Sequence, residues 1–186
     1  MRLILASASP RRAELLRAAG FDFDTVAVDI DETPREGEAP ATYVRRLAAE
    51  KSAAASREGS DAVILGADTA VVVDGDILGK PRDDREAALM LRRLSGRRHD
   101  VLTGVSLRKG AYEIGRVETT AVHFAPLGDR EIAWYVESGE GRDKAGAYAV
   151  QGLASRFIRR IEGSYANVVG LPVTAVHELM GEFPAD

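Results

Sequence analysis

The chain has 186 residues, 45% apolar and 29% charged, so it is long enough to bury a core and is neither disordered nor fibrous. The 25 Lys and Arg against 29 Asp and Glu leave a formal charge of −4. Such a balance argues against a general electrostatic footprint for long nucleic acid and leaves room for a small nucleotide in a local basic site. There is no Cys, which excludes disulfides, thiolate zinc sites and a cysteine nucleophile. No apolar run approaches bilayer length, and Met1–Ala6 is too short for a signal-peptide core before it meets a turn. A soluble cytoplasmic protein with no membrane partner is expected.

In chain order, Leu3–Ala6 reads as a buried strand, and Pro10–Ala19 as a helix with Ser9 as N-cap and Gly20 as its stop. A second helix is expected over Ala41–Ala55 and a long strand over Ala62–Val73. Asp74-Gly75 is a two-residue hairpin signal that returns the chain as Asp76–Leu78. Asp83 and Glu86 are spaced as a capping pair for a third helix ended by Gly96. Strands over Val101–Leu107 and Tyr112–Phe124 should be joined at Lys109-Gly110, followed by a short helix over Asp129–Glu137. Gly139–Gly152 is Gly-rich and irregular, Arg156–Ile161 is strand-like, and Pro172–Met180 is a closing helix ended by Gly181. The pattern predicts a mixed α/β protein whose hairpins exclude a purely parallel sheet, folded as one domain over residues 1–186.

Residues that contradict their surroundings mark candidate sites. Ser7-Ala8-Ser9-Pro10-Arg11-Arg12 joins a strand to a helix N-terminus, where two arginines oppose the helix dipole but would suit a polyphosphate. The plainer alternative is a serine cap with solvated arginines. Lys51 ends the apolar stripe Val44, Leu47, Lys51, and either snorkels to the rim or points into a cleft. Asp68 interrupts a strongly apolar strand, so it needs a partner or a metal unless Gly66 marks a bulge that turns it to solvent. With Val73 opposite Asp76, continued hairpin pairing would set Lys80 opposite Thr69 and diagonal to Asp68.

Asp29-Ile30-Asp31-Glu32-Thr33-Pro34 is an acidic loop of the kind usually just solvated, though it could offer a ligand to Mg²⁺ or Mn²⁺. The Gly-rich stretches Lys144–Gly152 and Gly163–Pro172 carry Gln151 and Asn167, whose amides suit the edge of a base. His99, His123 and His177 lack metal-ligand spacing and read as structural. No Ser-His-Asp order stands out.

Together these segments resemble the Maf family of nucleoside triphosphate pyrophosphatases over nearly the whole length. The markers, in order, are Ser7–Arg12, Glu32-Thr-Pro34, Lys51, Gly66-Ala-Asp-Thr69, Gly79-Lys-Pro81, Ser95-Gly96, His99–Gly104, Lys144–Tyr148, Gln151-Gly152 and Gly163–Pro172. The resemblance implies a long mixed β-sheet flanked by helices, with two lobes around a central cleft, similar to inosine triphosphate pyrophosphatases. It implies metal-dependent hydrolysis of a nucleoside triphosphate to the monophosphate and pyrophosphate. Asp68 would be the general base, Glu32 and Asp68 would hold Mg²⁺ or Mn²⁺, and Lys51 and Lys80 would neutralise phosphoryl charge. Ser7, Arg11 and Arg12 would bind the triphosphate. Arg12, Thr69 and Gln151 match the subgroup selective for dTTP and UTP, with modified uridine triphosphates, whereas relatives acting on 7-methyl-GTP differ there. A pyrophosphatase with 7-methyl-GTP or purine preference and a nucleotide-binding regulator of septum formation with incidental hydrolysis are the alternatives. Compact enzymes of this size often form two-fold pairs, so a homodimer is the expected assembly.

Overall fold

The computed structural model describes residues 2–56 and 61–183. The elements are β1 (Leu3–Ala6), α1 (Pro10–Ala18), β2 (Phe23–Val26), α2 (Pro40–Ala54), β3 (Val63–Val73), β4 (Asp76–Leu78), α3 (Asp84–Leu94), β5 (Arg98–Lys109) and β6 (Tyr112–Phe124). They continue with α4 (Asp129–Glu137), 3-10 turns at Ala145–Ala147 and Leu153–Phe157, β7 (Ile158–Glu162), α5 (Tyr165–Val169) and α6 (Val173–Glu182). The seven strands described form one sheet in the order β2-β1-β3-β5-β6-β7, with β4 paired to β3. It is mixed, as the hairpins require: β1 runs parallel to β2 and β3, while β4 and β7 pair antiparallel with β3 and β6. Among the described residues no helix is long and apolar enough to cross a membrane.

The chain divides into two compact units. The first comprises Met1–Thr69, Thr103–Glu118 and Gly170–Asp186. Its core is built from Leu3 and Leu5 of β1, Leu16 of α1, Val63 and Leu65 of β3, Val105 and Leu107 of β5, and Val176 and Leu179 of α6. Helix α2 buries Val44, Leu47, Ala48, Lys51 and Ser52, so the predicted stripe that ends in Lys51 is real. That face meets the sheet at two glycines. A Cβ on Gly66 of β3 would overlap the Ala48 carbonyl oxygen and lie 2.7 Å from the Ser52 nitrogen. One on Gly104 of β5 would overlap the Val44 carbonyl and lie 2.8 Å from the Arg45 nitrogen. Gly66 therefore serves close helix–strand approach, and Asp68 two residues on is buried rather than turned to solvent.

The second unit comprises Ala70–Leu102 and Thr119–Val169. Helix α3 buries Ala87, Met90, Leu91 and Leu94, the i, i+3, i+4, i+7 face of an amphipathic helix. Its cap is the predicted one, with the Asp83 side chain accepting from the Glu86 N–H at 2.7 Å. These residues pack with Val71, Val101, Phe124, Ile132, Tyr135, Tyr148 and Phe157. The edge strand β2, the short α5 and the two 3-10 turns lie where none was expected, and Arg156 and Phe157, expected in a strand, belong to the turn before β7. Helix α6 runs past the predicted stop: Gly181 sits in open space in its last turn, and the helix ends instead where Phe183 turns extended.

His99 has the structural role expected of it. It is 2% exposed, with Nε2 2.8 Å from the Tyr148 hydroxyl. Burial, reinforced by His123 and Arg98, lowers its pKa to about 4. The folded pKa lies below the unfolded value of about 6.5, so between these limits the unfolded chain binds the extra proton. The stabilisation is therefore complete above the unfolded value and is lost as pH falls towards about 4. Urea denaturation at pH 7 and pH 5 should show wild type losing about 2 kcal/mol more than His99→Gln over that step. Equal losses in both proteins would contradict this assignment.

Candidate active site

Strand β1 delivers the chain to α1 through Ser7-Ala8-Ser9. Ser9 holds the N-cap position, but its side chain makes no capping bond and the first turn carries no acid. Instead the Ser7 hydroxyl oxygen accepts from the Ser9 N–H at 3.1 Å and from Arg12 Nη1 at 3.3 Å. The first-turn N–H groups of α1 thus keep their positive end available to an anion. A cavity of about 290 Å³ adjoins this turn, lined by Ser7, Ser9, Pro10, Glu14, Arg17 and Thr25 among others.

Arg12 is not a solvated helix residue. It is 9% exposed, and besides Ser7 its guanidinium donates from Nε to the Gly170 carbonyl at 2.8 Å and from Nη2 to Thr69 Oγ1 at 3.2 Å. Burial lowers its pKa, Asp68 opposes that shift, Arg11 adds to it, and Glu32 again opposes it. An arginine stays protonated through such a shift, so the site holds a permanent cation. Gly170 has φ 131, a conformation other residues rarely adopt, and its carbonyl accepts from both Arg12 and Thr69, the latter at 3.3 Å. Thr69 Oγ1 also lies 2.9 Å from Thr103 Oγ1, a fully buried hydroxyl to which the sequence assigned no role.

Lys51 gathers the acids. Its Nζ lies 2.6 Å from Asp68 Oδ1 and 2.6 Å from Glu32 Oε1. The Glu32 backbone carbonyl accepts from the Tyr43 hydroxyl at 2.9 Å, a residue of α2 that nothing in the sequence singled out. Burial, with Asp68 and Glu32 nearby, pushes the Tyr43 pKa up to about 12, so that hydroxyl remains a donor. Asp68 is 7% exposed. Its pKa is raised because burial outweighs the opposing charges of Lys51 and Arg12. In the acidic loop, Asp31 accepts from the Thr33 N–H at 2.9 Å and is lowered by its bonds to Thr33, which leaves Glu32 as the acid facing Lys51.

Ser7, Arg12, Glu32, Lys51, Asp68 and Thr69 therefore come together within the first unit, with Arg11 beside them as the charge pressing on Arg12. Lys80 and Gln151 belong to the second unit, and both are exposed. The β3–β4 ladder starts as predicted with Val73 opposite Asp76 but ends at Val71 opposite Leu78. The ladder keeps the expected register but stops short of the Lys80–Thr69 pair, and the Gly79 carbonyl accepts from the Gly146 N–H at 3.1 Å. Asn167 does not offer its amide to a ligand. It is fully buried and donates to the Val101 carbonyl and to Thr120 Oγ1, each at 3.0 Å.

Among the described residues no group of three or more His, Cys, Asp or Glu is arranged for a metal. Two carboxylates converging on one nitrogen suit a hard cation of the Mg²⁺ type, which takes one or two carboxylates and fills its shell with water and phosphate oxygens. Arg12 and Lys51 stand among the two acids, so cationic groups are in place for an anionic ligand.

A buried cation–carboxylate cluster beside an uncapped helix N-terminus, on an α/β scaffold, describes a phosphate-handling protein. The chain belongs to the Maf-like protein family, whose model matches residues 2–183. It is 52% identical to the dTTP/UTP pyrophosphatase of Symbiobacterium thermophilum, over 98% of this chain and 94% of that protein. It is 51% identical to that of Anaeromyxobacter dehalogenans, over 96% and 92%, and 50% identical to that of Shewanella oneidensis, over 98% of each. Among solved structures, the Staphylococcus aureus Ham1 protein matches with a TM-score of 0.55 at 15% identity, covering 98% of this chain and 100% of that one. That likeness is one of fold, and it bears out the α/β class with a mixed sheet.

Proposed function

We propose that the chain hydrolyses dTTP and UTP, with modified uridine triphosphates, to the nucleoside monophosphate and pyrophosphate, as a house-cleaning activity in the cytoplasm. The observation that carries this reading is Lys51 held between Glu32 and Asp68, with Arg12 buried alongside. The names of relatives at about half identity over near-full length support the substrate class.

In this scheme Arg11, Arg12, Ser7 and the α1 amides hold the triphosphate. Lys51 and Lys80 stabilise the charge that grows on phosphoryl oxygens in the transition state. A water oxygen bonds to the α-phosphorus as Asp68 takes its proton, and the bond to the α–β bridging oxygen breaks, releasing pyrophosphate. Burial raises the Asp68 pKa against the opposing charges of Lys51 and Arg12, the direction a general base needs. Glu32 and Asp68 would hold a divalent cation, Mg²⁺ or Mn²⁺, whose chemistry is to neutralise phosphate oxygens and acidify water. Thr69, positioned by Arg12 and Gly170, and Gln151 would meet the base.

Pyrophosphate release in Mg²⁺ from dTTP, UTP, ITP and 7-methyl-GTP tests the proposal. A preference of about tenfold or more in kcat/KM for dTTP and UTP is expected. Tight dTTP binding with no pyrophosphate released would instead support a nucleotide-responsive regulator.

A further inference from the structure

Gln151 is exposed, yet the chain on both sides of it is tightly held. Ala147, Tyr148, Ala149 and Val150 are buried, between 0% and 5% exposed. Beyond it, Gly152 opens the turn over Leu153–Phe157. Two side chains from outside the loop fasten it. The Glu140 carboxylate accepts from the Leu153 N–H on Oε1 at 2.9 Å, and on Oε2 from the Ala154 N–H at 3.4 Å and the Tyr135 hydroxyl at 2.7 Å. The Tyr135 oxygen in turn accepts from the Ala149 N–H at 3.1 Å. One carboxylate–phenol pair thus grips the backbone two residues before Gln151 and two residues after it.

The chemistry of the pair is specific. Three donors aim at Glu140, and only an ionised carboxylate presents acceptors alone on both oxygens. Tyr135 is 1% exposed, and burial followed by its bond to Glu140 raises its pKa, so the phenol keeps its proton and donates. A Cβ on Gly152 would overlap Glu140 Oε1, so the missing side chain is what lets the carboxylate reach the Leu153 amide.

We infer that Glu140 and Tyr135 are positioning residues that set the orientation of Gln151 and through it the choice of base. This rests on the reading above that Gln151 meets the base. An exposed amide on a loose loop contributes little discrimination, because ordering it on binding offsets the hydrogen bond it makes. On a loop anchored at positions 149 and 153 that ordering is already done.

The test uses the full chain with Mg²⁺ and compares UTP with CTP, pyrimidines of one size whose base edges differ in donors and acceptors. Glu140→Gln turns an acceptor into a donor facing N–H groups. It should raise KM for UTP about tenfold, leave kcat within about twofold, and shrink the UTP/CTP ratio of kcat/KM about tenfold. Tyr135→Phe, which deletes one hydroxyl from the same network, should shift the ratio the same way by a smaller factor. Adding Glu140→Gln to Gln151→Ala should leave the ratio of Gln151→Ala unchanged, since the effect passes through Gln151. Folded single variants with the wild-type ratio, or a loss that adds to that of Gln151→Ala, would overturn the inference. So would unfolding of both variants, which would assign the pair to stability. If Gln151→Ala keeps the wild-type ratio, the reading of Gln151 is at fault and the positioning role falls with it.

Discussion

Asp68→Asn is expected to lower kcat for dTTP and UTP by about a thousandfold or more while nucleotide binding persists. The substitution keeps the volume of a side chain that is 7% exposed, and it keeps an oxygen that can accept from Lys51. What it removes is the capacity to take a proton from water, because an amide oxygen is essentially non-basic near neutral pH. Binding persists because the cations that meet the triphosphate are other residues: Arg12 remains lodged on Gly170, Thr69 and Ser7. Lys51 also remains paired with Glu32. Single-turnover pyrophosphate release and equilibrium dTTP binding, measured side by side, separate the two properties. Near-normal turnover in the variant would remove Asp68 from the role of base. The same variant discriminates an enzyme from a regulator, since a regulatory output would survive with binding.

Gly66→Ala should cost about 3 kcal/mol or prevent folding altogether. The added methyl meets the backbone of α2, at the Ala48 carbonyl and the Ser52 nitrogen, and backbone cannot swing aside as a side-chain tip can. Relief requires α2 to lift from β3. Lys51 lies between those two contact points on the helix, and Asp68 lies two residues along the strand from the glycine, so lifting would lengthen the 2.6 Å Lys51–Asp68 pair. Gly104→Ala should act in the same direction through Val44. Gly181→Ala is the control: the same methyl enters open space in α6 and should leave stability unchanged or raise it by up to about 1 kcal/mol. Urea midpoints at constant m-value give all three numbers. A Gly66→Ala protein as stable as wild type would show that α2 does not rest on the strand as described.

Much of this arrangement could be read from local pattern. The Asp74-Gly75 turn, the return strand Asp76–Leu78 and the boundaries of β6 and α4 follow from alternation and turn chemistry, which act over a few residues. Lys51 and Asp68 were visible because each is a charge in an apolar setting, and such charges need partners. What escaped was set by contacts distant in sequence. Strand β2 has four residues with no fully buried position, so it carries no apolar run to detect. A hairpin turn specifies its register but not where the ladder stops, hence the pair expected for Lys80 lies beyond the ladder's end. Asn167 looked like a ligand-reading amide because composition cannot distinguish an exposed amide from one spent on Val101 and Thr120. Thr103 lay within a recognised stretch, yet its partner is 34 residues away and only folding reveals it.

The bond from Arg12 to the Gly170 carbonyl joins positions 158 apart in the chain. During synthesis from the N-terminus, the first helix is made early, but its second arginine has only Ser7 and Thr69 of its three acceptors until residue 170 has been added. A polypeptide terminated before residue 170 would lack the acceptor that holds Nε, so the full seating of this cation waits on the last part of the chain to be made.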